Sequence, residues 1–277
     1  MSIKRIDQAF AKAGQRAALI PYICTGDPNA ETTLGLMHEL VKSGADIIEL
    51  GVPFSDPMAD GPIIQWASER ALAGGMTLTK VFEIVAQFRQ TDQETPVVLM
   101  GYANPIEAMG RAEFAQQAAQ AGVDGVLTVD YPPEEYDDFG EMLKKADIAP
   151  IFLLAPTSTE ERIKQIAEIA SGYVYYVSLR GVTGSAALNV EEVEQRVKAI
   201  KQFVKIPVGV GFGISDAQSA SRIGAVADAV VIGSKLIDTM QQALQGQPAA
   251  APSEPVIKAA GEWLGGIAKA LAEVKKG

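Results

Sequence analysis

The sequence predicts an α/β protein, a (β/α)8 (TIM) barrel with an extra N-terminal helix. Three observations predict it. Eight short apolar runs alternate with amphipathic segments along the chain. The runs are rich in Val, Ile and Leu without polar alternation, as in parallel strands covered on both faces. Eight strand-then-helix units fit within 277 residues, and such barrels typically take about 250.

The segment Ser2 to Gly14 reads as the extra helix, placed against the bottom of the barrel. The expected strands are Ala18 to Cys24, Asp46 to Leu50, Pro96 to Met100, Gly125 to Val129, Pro150 to Leu154, Tyr173 to Val177, Pro207 to Val210 and Ala227 to Ile232. Between them, apolar stripes at helical spacing mark helices, for example Leu78, Val81, Val85 and Phe88, or Val193, Val197, Ile200 and Val204. Ser158 before Glu161, Ser215 before Gln218 and Asn189 before Glu192 have capping-box spacing.

A weak repeat runs through the strand starts. Strands two, four and eight begin as Gly44-Ala45-Asp46, Gly122-Val123-Asp124 and Val226-Ala227-Asp228, and strands three, five and seven begin at Pro96, Pro150 and Pro207. A duplicated unit and coincidence both account for it. The compositional break from Gln245 to Pro255 follows the eighth strand and precedes a last helix, Val256 to Lys275. It reads as an external loop, so residues 1–277 are expected to form a single barrel domain.

Composition narrows the function. Asp and Glu outnumber Lys and Arg by 34 to 24, a formal charge of −10, which disfavours nucleic acid and anionic membranes as partners. No run approaches the roughly 18 apolar residues of a membrane span. The single cysteine, Cys24, has no intrachain partner, and the N-terminus lacks the apolar core of a signal peptide; both fit a reducing, cytoplasmic setting. With one cysteine and one histidine, His38, a Cys/His metal cluster is ruled out.

The candidate chemistry gathers at strand ends, where barrels build active sites. Glu49 is the penultimate residue of the second strand, and partial desolvation there would raise its pKa toward an acid–base range; the local sequence equally permits a side chain turned to solvent. Asp60 precedes Gly61-Pro62, a helix start, so it is either a second acid of the site or a residue favouring the helix dipole. Asp56 fits a Ser-Asp-Pro turn. Glycine-rich stretches follow the sixth, seventh and eighth strands: Arg180 to Ser185, Gly209 to Ser215, and Gly233-Ser234. The last two stand where barrels hold phosphate on backbone amides and a short helix's N-terminus. Tyr22, Met100, Tyr102, Leu127, Tyr175 and Phe212 are candidates to line a flat, aromatic-sized pocket, or else belong to ordinary core.

Glu49-Leu-Gly-Val-Pro-Phe-Ser-Asp-Pro-Met-Ala-Asp-Gly-Pro62, followed by Ile64-Gln65, resembles the signature of the tryptophan synthase alpha subunit family. Stretches at Pro21-Tyr22, Gly26-Asp27-Pro28, Met100 to Pro105, Asp130-Tyr131-Pro132, Gly181 to Gly184 and Gly211 to Ile214 agree in register over nearly the whole chain. The resemblance implies a (β/α)8 lyase that splits indole-3-glycerol phosphate into indole and glyceraldehyde 3-phosphate by a retro-aldol reaction, with neither metal nor organic cofactor. It implies Glu49 and Asp60 as the catalytic acids. Gly184, Gly213, Gly233 and Ser234 would hold the substrate phosphate, and Tyr22, Met100, Leu127, Tyr175 and Phe212 the indole. It further implies an α2β2 complex with a beta subunit that carries pyridoxal phosphate, with Asp56, Pro57 and Met58 in the contact. The loops from Asp56 to Asp60 and from Gly181 to Asn189 are expected to close over substrate.

Three rivals share parts of this pattern. Another phosphosugar barrel would want a different acid–base set, such as a strand-end lysine, which these strands lack. A non-catalytic subunit would not need both acids. A stand-alone lyase would release free indole.

Overall fold

The computed structural model describes residues 2–178, 190–211, 213–244 and 253–276. Eight parallel strands, Ala18–Cys24 (β1), Ile48–Gly51 (β2), Val97–Gly101 (β3), Gly125–Thr128 (β4), Ala149–Leu154 (β5), Val174–Val177 (β6), Val208–Gly211 (β7) and Ala229–Ile232 (β8), close into a barrel in sequence order. The described helices are Ser2–Ala13 (α1), Ala30–Lys42 (α2), Pro62–Ala73 (α3), Leu78–Phe88 (α4), Ala103–Met109 (α5), Arg111–Ala121 (α6), Asp137–Lys145 (α7), Glu160–Ile169 (α8), Val190–Phe203 (α9), Ala217–Gly224 (α10), Ser234–Leu244 (α11) and Glu254–Ala272 (α12).

The apolar residues divide into two cores, as strands covered on both faces require. One lies between sheet and helices, where Leu36, Leu40, Val85, Phe88 and Leu264 pack. The other fills the barrel interior with Ile20, Ile47, Val98, Leu127, Ile151, Tyr173, Tyr175 and Val231. Ile6, Ala9 and Ala13 of α1 belong to the interior core, and Ile6 is fully buried. The amphipathic N-terminal helix therefore plugs the barrel, as its pattern predicts.

The repeat at the strand starts has a physical cause. Asp46 donates its backbone N–H to Leu19 O (2.9 Å) and accepts the Leu19 N–H at Oδ2 (2.8 Å). Asp124 makes the same reciprocal pair with Val97 (2.8 and 2.8 Å), and Asp228 with Val208 (2.9 and 2.9 Å). Each aspartate thus closes a ring with the neighbouring strand at the barrel's bottom and satisfies an amide that would otherwise be orphaned. Each also has a cation: Arg16 on Asp46, Arg5 and Arg89 on Asp124, Lys201 on Asp228. These side-chain clamps stand outside the regular ladder, so β2 begins at Ile48 and β8 at Ala229, two residues later than expected in each case. β5 begins one residue early, at Ala149, which puts Pro150 just inside it.

The helix starts shift by one residue. Thr159, not Ser158, accepts the Arg162 N–H (3.2 Å), while the Ser158 hydroxyl accepts from Ala155 N–H (2.9 Å) in the preceding turn. Asp216, not Ser215, caps α10 through Ser219. Adjacent polar residues satisfy the same spacing rule, and the backbone chooses between them. Asn189 lies outside the described residues. The last helix spans Glu254–Ala272, shifted toward the N-terminus relative to the expected Val256 to Lys275.

The three clamps differ in burial, and that ranks them. The Asp124 side chain is fully buried between two guanidinium groups, whereas that of Asp228 is 19 % exposed. Asp124→Ala strands Arg89 in the core and is expected to cost about 3–5 kcal/mol. Asp228→Ala is expected to cost roughly 1 kcal/mol. Urea denaturation of both variants checks the order; equal losses would contradict it.

Candidate active site

Glu49 is the second residue of β2 and is 1 % exposed. Its neighbour across the β1–β2 pair is Tyr22. Tyr173, which lies just before β6, donates its hydroxyl to Glu49 Oε1 at 3.2 Å. Burial pushes the Glu49 carboxyl up to about 8; the Tyr173 hydrogen bond pulls it down and the nearby Asp60 charge adds to the rise. A carboxyl with a pKa close to neutral both gives and takes a proton readily. Of the two orientations the sequence left open, the structure has the inward one.

Asp60 is 9 % exposed. It does not cap α3, whose N-cap is Gly61 and which has no side-chain cap. Its Oδ2 instead accepts the hydroxyl of Tyr102 (3.0 Å). Burial raises the Asp60 pKa and the Tyr102 hydrogen bond opposes that rise. Asp60 closes a turn by donating its N–H to Pro57 O (3.0 Å), and Gln65 Nε2 donates to its carbonyl (2.7 Å). Asp56 is exposed, with the Ser55 hydroxyl on its Oδ2.

Glu49 and Asp60 line one cavity at the C-terminal ends of the strands. Tyr22, Met100 and Tyr175 line it too, with Gly213, Gly233 and Ser234. Ser234 opens α11, so the cavity touches a helix N-terminus, where unpaired N–H groups favour an anion. Gly213 has a φ of +77°, which demands glycine. Ile64, Ile214 and Val231 complete the lining and were not singled out in the sequence. Larger clefts exist on the helical shell, one of about 1130 Å³ between α2, α3 and α4, but its acids Glu31 and Glu83 are exposed.

Leu127 is not among the lining residues. It is fully buried in the inner core and borders a separate small space beside Tyr102. Gly184 and Phe212 lie outside the described residues, as do residues 181–189 of the expected second lid. Tyr102, expected as pocket lining, instead bonds Asp60.

Tyr173 was missed as a partner of Glu49. The available signal was its spacing of two from Tyr175, which puts both rings on the same side of the sheet. The tyrosines also explain two glycines. A Cβ at Gly51 would sit 2.2 Å from the Tyr22 hydroxyl oxygen, and one at Gly211 would sit 2.1 Å from that of Tyr175. Both glycines make room at strand ends for an aromatic wall of the cavity.

A (β/α)8 barrel with two buried acids lining one cavity at its strand ends defines an acid–base enzyme of the barrel class. Comparison with known proteins specifies which. The family profile described as tryptophan synthase alpha chain matches residues 9–260. The tryptophan synthase alpha chain of Bordetella bronchiseptica is 61 % identical over 275 residues, covering 98 % of this chain and 96 % of that one. The crystal structure of tryptophan synthase subunit alpha from Legionella pneumophila superposes with a TM-score of 0.89 at 44 % identity, covering 98 % and 99 % of the two chains. A tryptophan synthase complex from Pyrococcus furiosus contains a chain with a TM-score of 0.79 at 33 % identity, with coverage of 91 % and 98 %. The chain belongs to the tryptophan synthase alpha chain family.

The buried acid sets a pH dependence of stability. The Glu49 pKa rises from 4.5 unfolded to about 8 folded. The native state therefore binds more protons within that window, and stability falls as pH rises through it. The contribution is fully present below the unfolded value and lost above the folded one. Asp60, also raised, acts with the same sign. Glu49→Gln keeps an acceptor for Tyr173 without the ionisation. Its stability relative to the wild type is expected to grow from about pH 5 to pH 8, by on the order of a few kcal/mol. Urea titrations across this range check it, and a constant difference would contradict the buried-acid assignment.

Proposed function

We propose that Glu49 and Asp60 carry out the family's reaction, Glu49 moving protons at the breaking bond and Asp60 stabilising the charge on the ring. The chain is a carbon–carbon lyase of tryptophan biosynthesis, cleaving indole-3-glycerol phosphate to indole and glyceraldehyde 3-phosphate. A retro-aldol cleavage of this kind needs a proton delivered to indole C3 and a proton taken from the hydroxyl on the adjacent side-chain carbon. The bond between those carbons then breaks, its electrons neutralise the protonated ring, and the hydroxyl carbon becomes the aldehyde.

The observation that carries the assignment is Glu49, buried and poised at about 8, in the same cavity as Asp60. In this reading Glu49 gives the C3 proton and takes the hydroxyl proton. Asp60, as an anion, faces the indole N–H and stabilises the positive charge that develops there. The substrate phosphate sits on Gly213, Gly233, Ser234 and the first amides of α11, with Gly184 as a further contact. Tyr22, Met100 and Tyr175 bracket the indole ring, with Phe212 as a further wall. None of these steps calls for a metal or organic cofactor in this chain.

In the same reading the chain works as one barrel domain over residues 1–277, in a reducing cytoplasm where its buried Cys24 stays a thiol. Among the described residues no helix is long and apolar enough to cross a membrane. Its partner is the tryptophan synthase beta subunit, which holds pyridoxal phosphate, in an α2β2 assembly. Met58, 78 % exposed in the loop before Asp60, supports a contact through Asp56, Pro57 and Met58.

The test is indole release from indole-3-glycerol phosphate, with and without a beta subunit. Wild type is expected to turn over, faster with the partner. Glu49→Gln and Asp60→Asn are each expected to lose about 10²-fold or more in kcat. No indole from wild type with the partner present would refute the reaction. Glu49→Gln turnover close to wild type would refute the proton-carrier role.

A further inference from the structure

Tyr102 is 4 % exposed and stands at the end of β3, where it is the N-cap residue of α5. Its side chain does not cap that helix. The hydroxyl turns instead to the loop after β2. It accepts the Ala59 N–H at 3.1 Å and donates to Asp60 Oδ2 at 3.0 Å. The ring packs on Phe54, near the other end of the same loop, with centroids 5.4 Å apart. One side chain thus holds the loop at both ends, and its single proton is committed to one oxygen of the acid. A phenol that both accepts a backbone N–H and donates to a carboxylate has its orientation fixed.

We infer that Tyr102 is a positioning residue for the cleavage reaction: by occupying Asp60 Oδ2 and the Ala59 amide, it leaves Oδ1 as the oxygen that meets the substrate. This rests on the reading of Asp60 given above and adds to it a definite carboxylate orientation. It also gives the acid an electrostatic role. A donor to the charged form stabilises that form, and the Tyr102 hydrogen bond opposes the rise that burial imposes on Asp60. Burial and the Asp60 charge hold the Tyr102 phenol well above its ordinary range, so it remains a donor.

The other ionisable groups around Asp60 among the described residues are Glu49 on β2, Tyr22 and Cys24 on β1, and Tyr175 on β6. None is a cation. Glu49 repels the Asp60 anion when charged, and the buried tyrosines and thiol are neutral at physiological pH. Among the described residues, Tyr102 is therefore the side-chain donor on which the Asp60 anion depends.

Tyr102→Phe removes the hydroxyl and keeps the ring on Phe54. It is expected to lower kcat by about 10- to 100-fold, as for a hydrogen bond to a charged group, with a smaller change in KM. The acid limb of its kcat/KM profile is expected to move up by about one pH unit. Carbon-13 NMR of carboxyl-labelled aspartate, with the Asp60 resonance identified by its loss in Asp60→Asn, reads the same shift without turnover. Site-specific 3-fluorotyrosine at position 102, a more acidic donor, is expected to move the Asp60 titration the opposite way, and it serves if Tyr102→Phe does not fold. A side chain that only braced the loop would change kcat while leaving both the acid limb and the Asp60 titration at wild-type values; that result overturns the inference. Wild type that makes no indole overturns the reaction reading alone, and the NMR titration still decides the role of Tyr102.

Discussion

The reciprocal pairing of an aspartate with the neighbouring strand fixes what the barrel can present at its other end. Asp46 locks onto Leu19 through both its amide and its carboxylate. That sets the β1–β2 register in which Tyr22 stands beside Glu49 and Cys24 beside Gly51. A slip of one residue would exchange the two faces of β2 and put Glu49 against the helices. The clamp stands two residues before β2, and the buried acid Glu49 follows it by three residues on that strand, so the bottom of the barrel holds the geometry of the top. Asp124 and Asp228 repeat the device at β3–β4 and β7–β8, and β7–β8 ends in the glycines that line the cavity.

Two kinds of buried carboxylate follow from this arrangement, and their partners separate them. Asp124 meets two guanidinium groups and an amide, so its charge is compensated and serves structure. Glu49 meets one hydroxyl, from Tyr173, and Asp60 meets one, from Tyr102. A single neutral donor offsets only part of the cost of desolvating a carboxylate. The protein thus keeps two acids in its core at a cost in stability that rises with pH. A cation beside Glu49 would remove that cost and with it the readiness to hold a proton near neutrality. Folds carry such local conflicts at working sites and compensate for them elsewhere.

Much of this was legible in the sequence because it is local. Strand runs are continuous apolar segments, and all eight overlap the observed strands. The Gly-Ala-Asp and Gly-Val-Asp starts were visible as a repeat, though only the paired hydrogen bonds explain it. Signals that two adjacent residues satisfy, such as Ser158 and Thr159 before α8, left the choice to the backbone. The partners of the acids were illegible for a different reason. Tyr173 and Glu49 are separated by 124 positions, and Tyr102 and Asp60 by 42, so only closure of the barrel brings them together. Leu127 shows the converse limit. An apolar strand-end residue faces either the cavity or the packing beside it, and composition does not distinguish the two.

The loop from Val52 to Gly61 joins the most exposed large apolar side chain in the described structure to a buried acid. Met58 lies two residues before Asp60, inside a turn that Met58 N–H to Asp56 O and Asp60 N–H to Pro57 O close. A force on the outer part of this turn reaches Asp60 through covalent bonds and these two hydrogen bonds. What resists is Tyr102, anchored by Phe54 and by α5, whose first N–H, from Ala103, is held by Asp130 (2.7 Å). A partner subunit seated on Met58 would therefore act on the Asp60 carboxylate against a single hydroxyl.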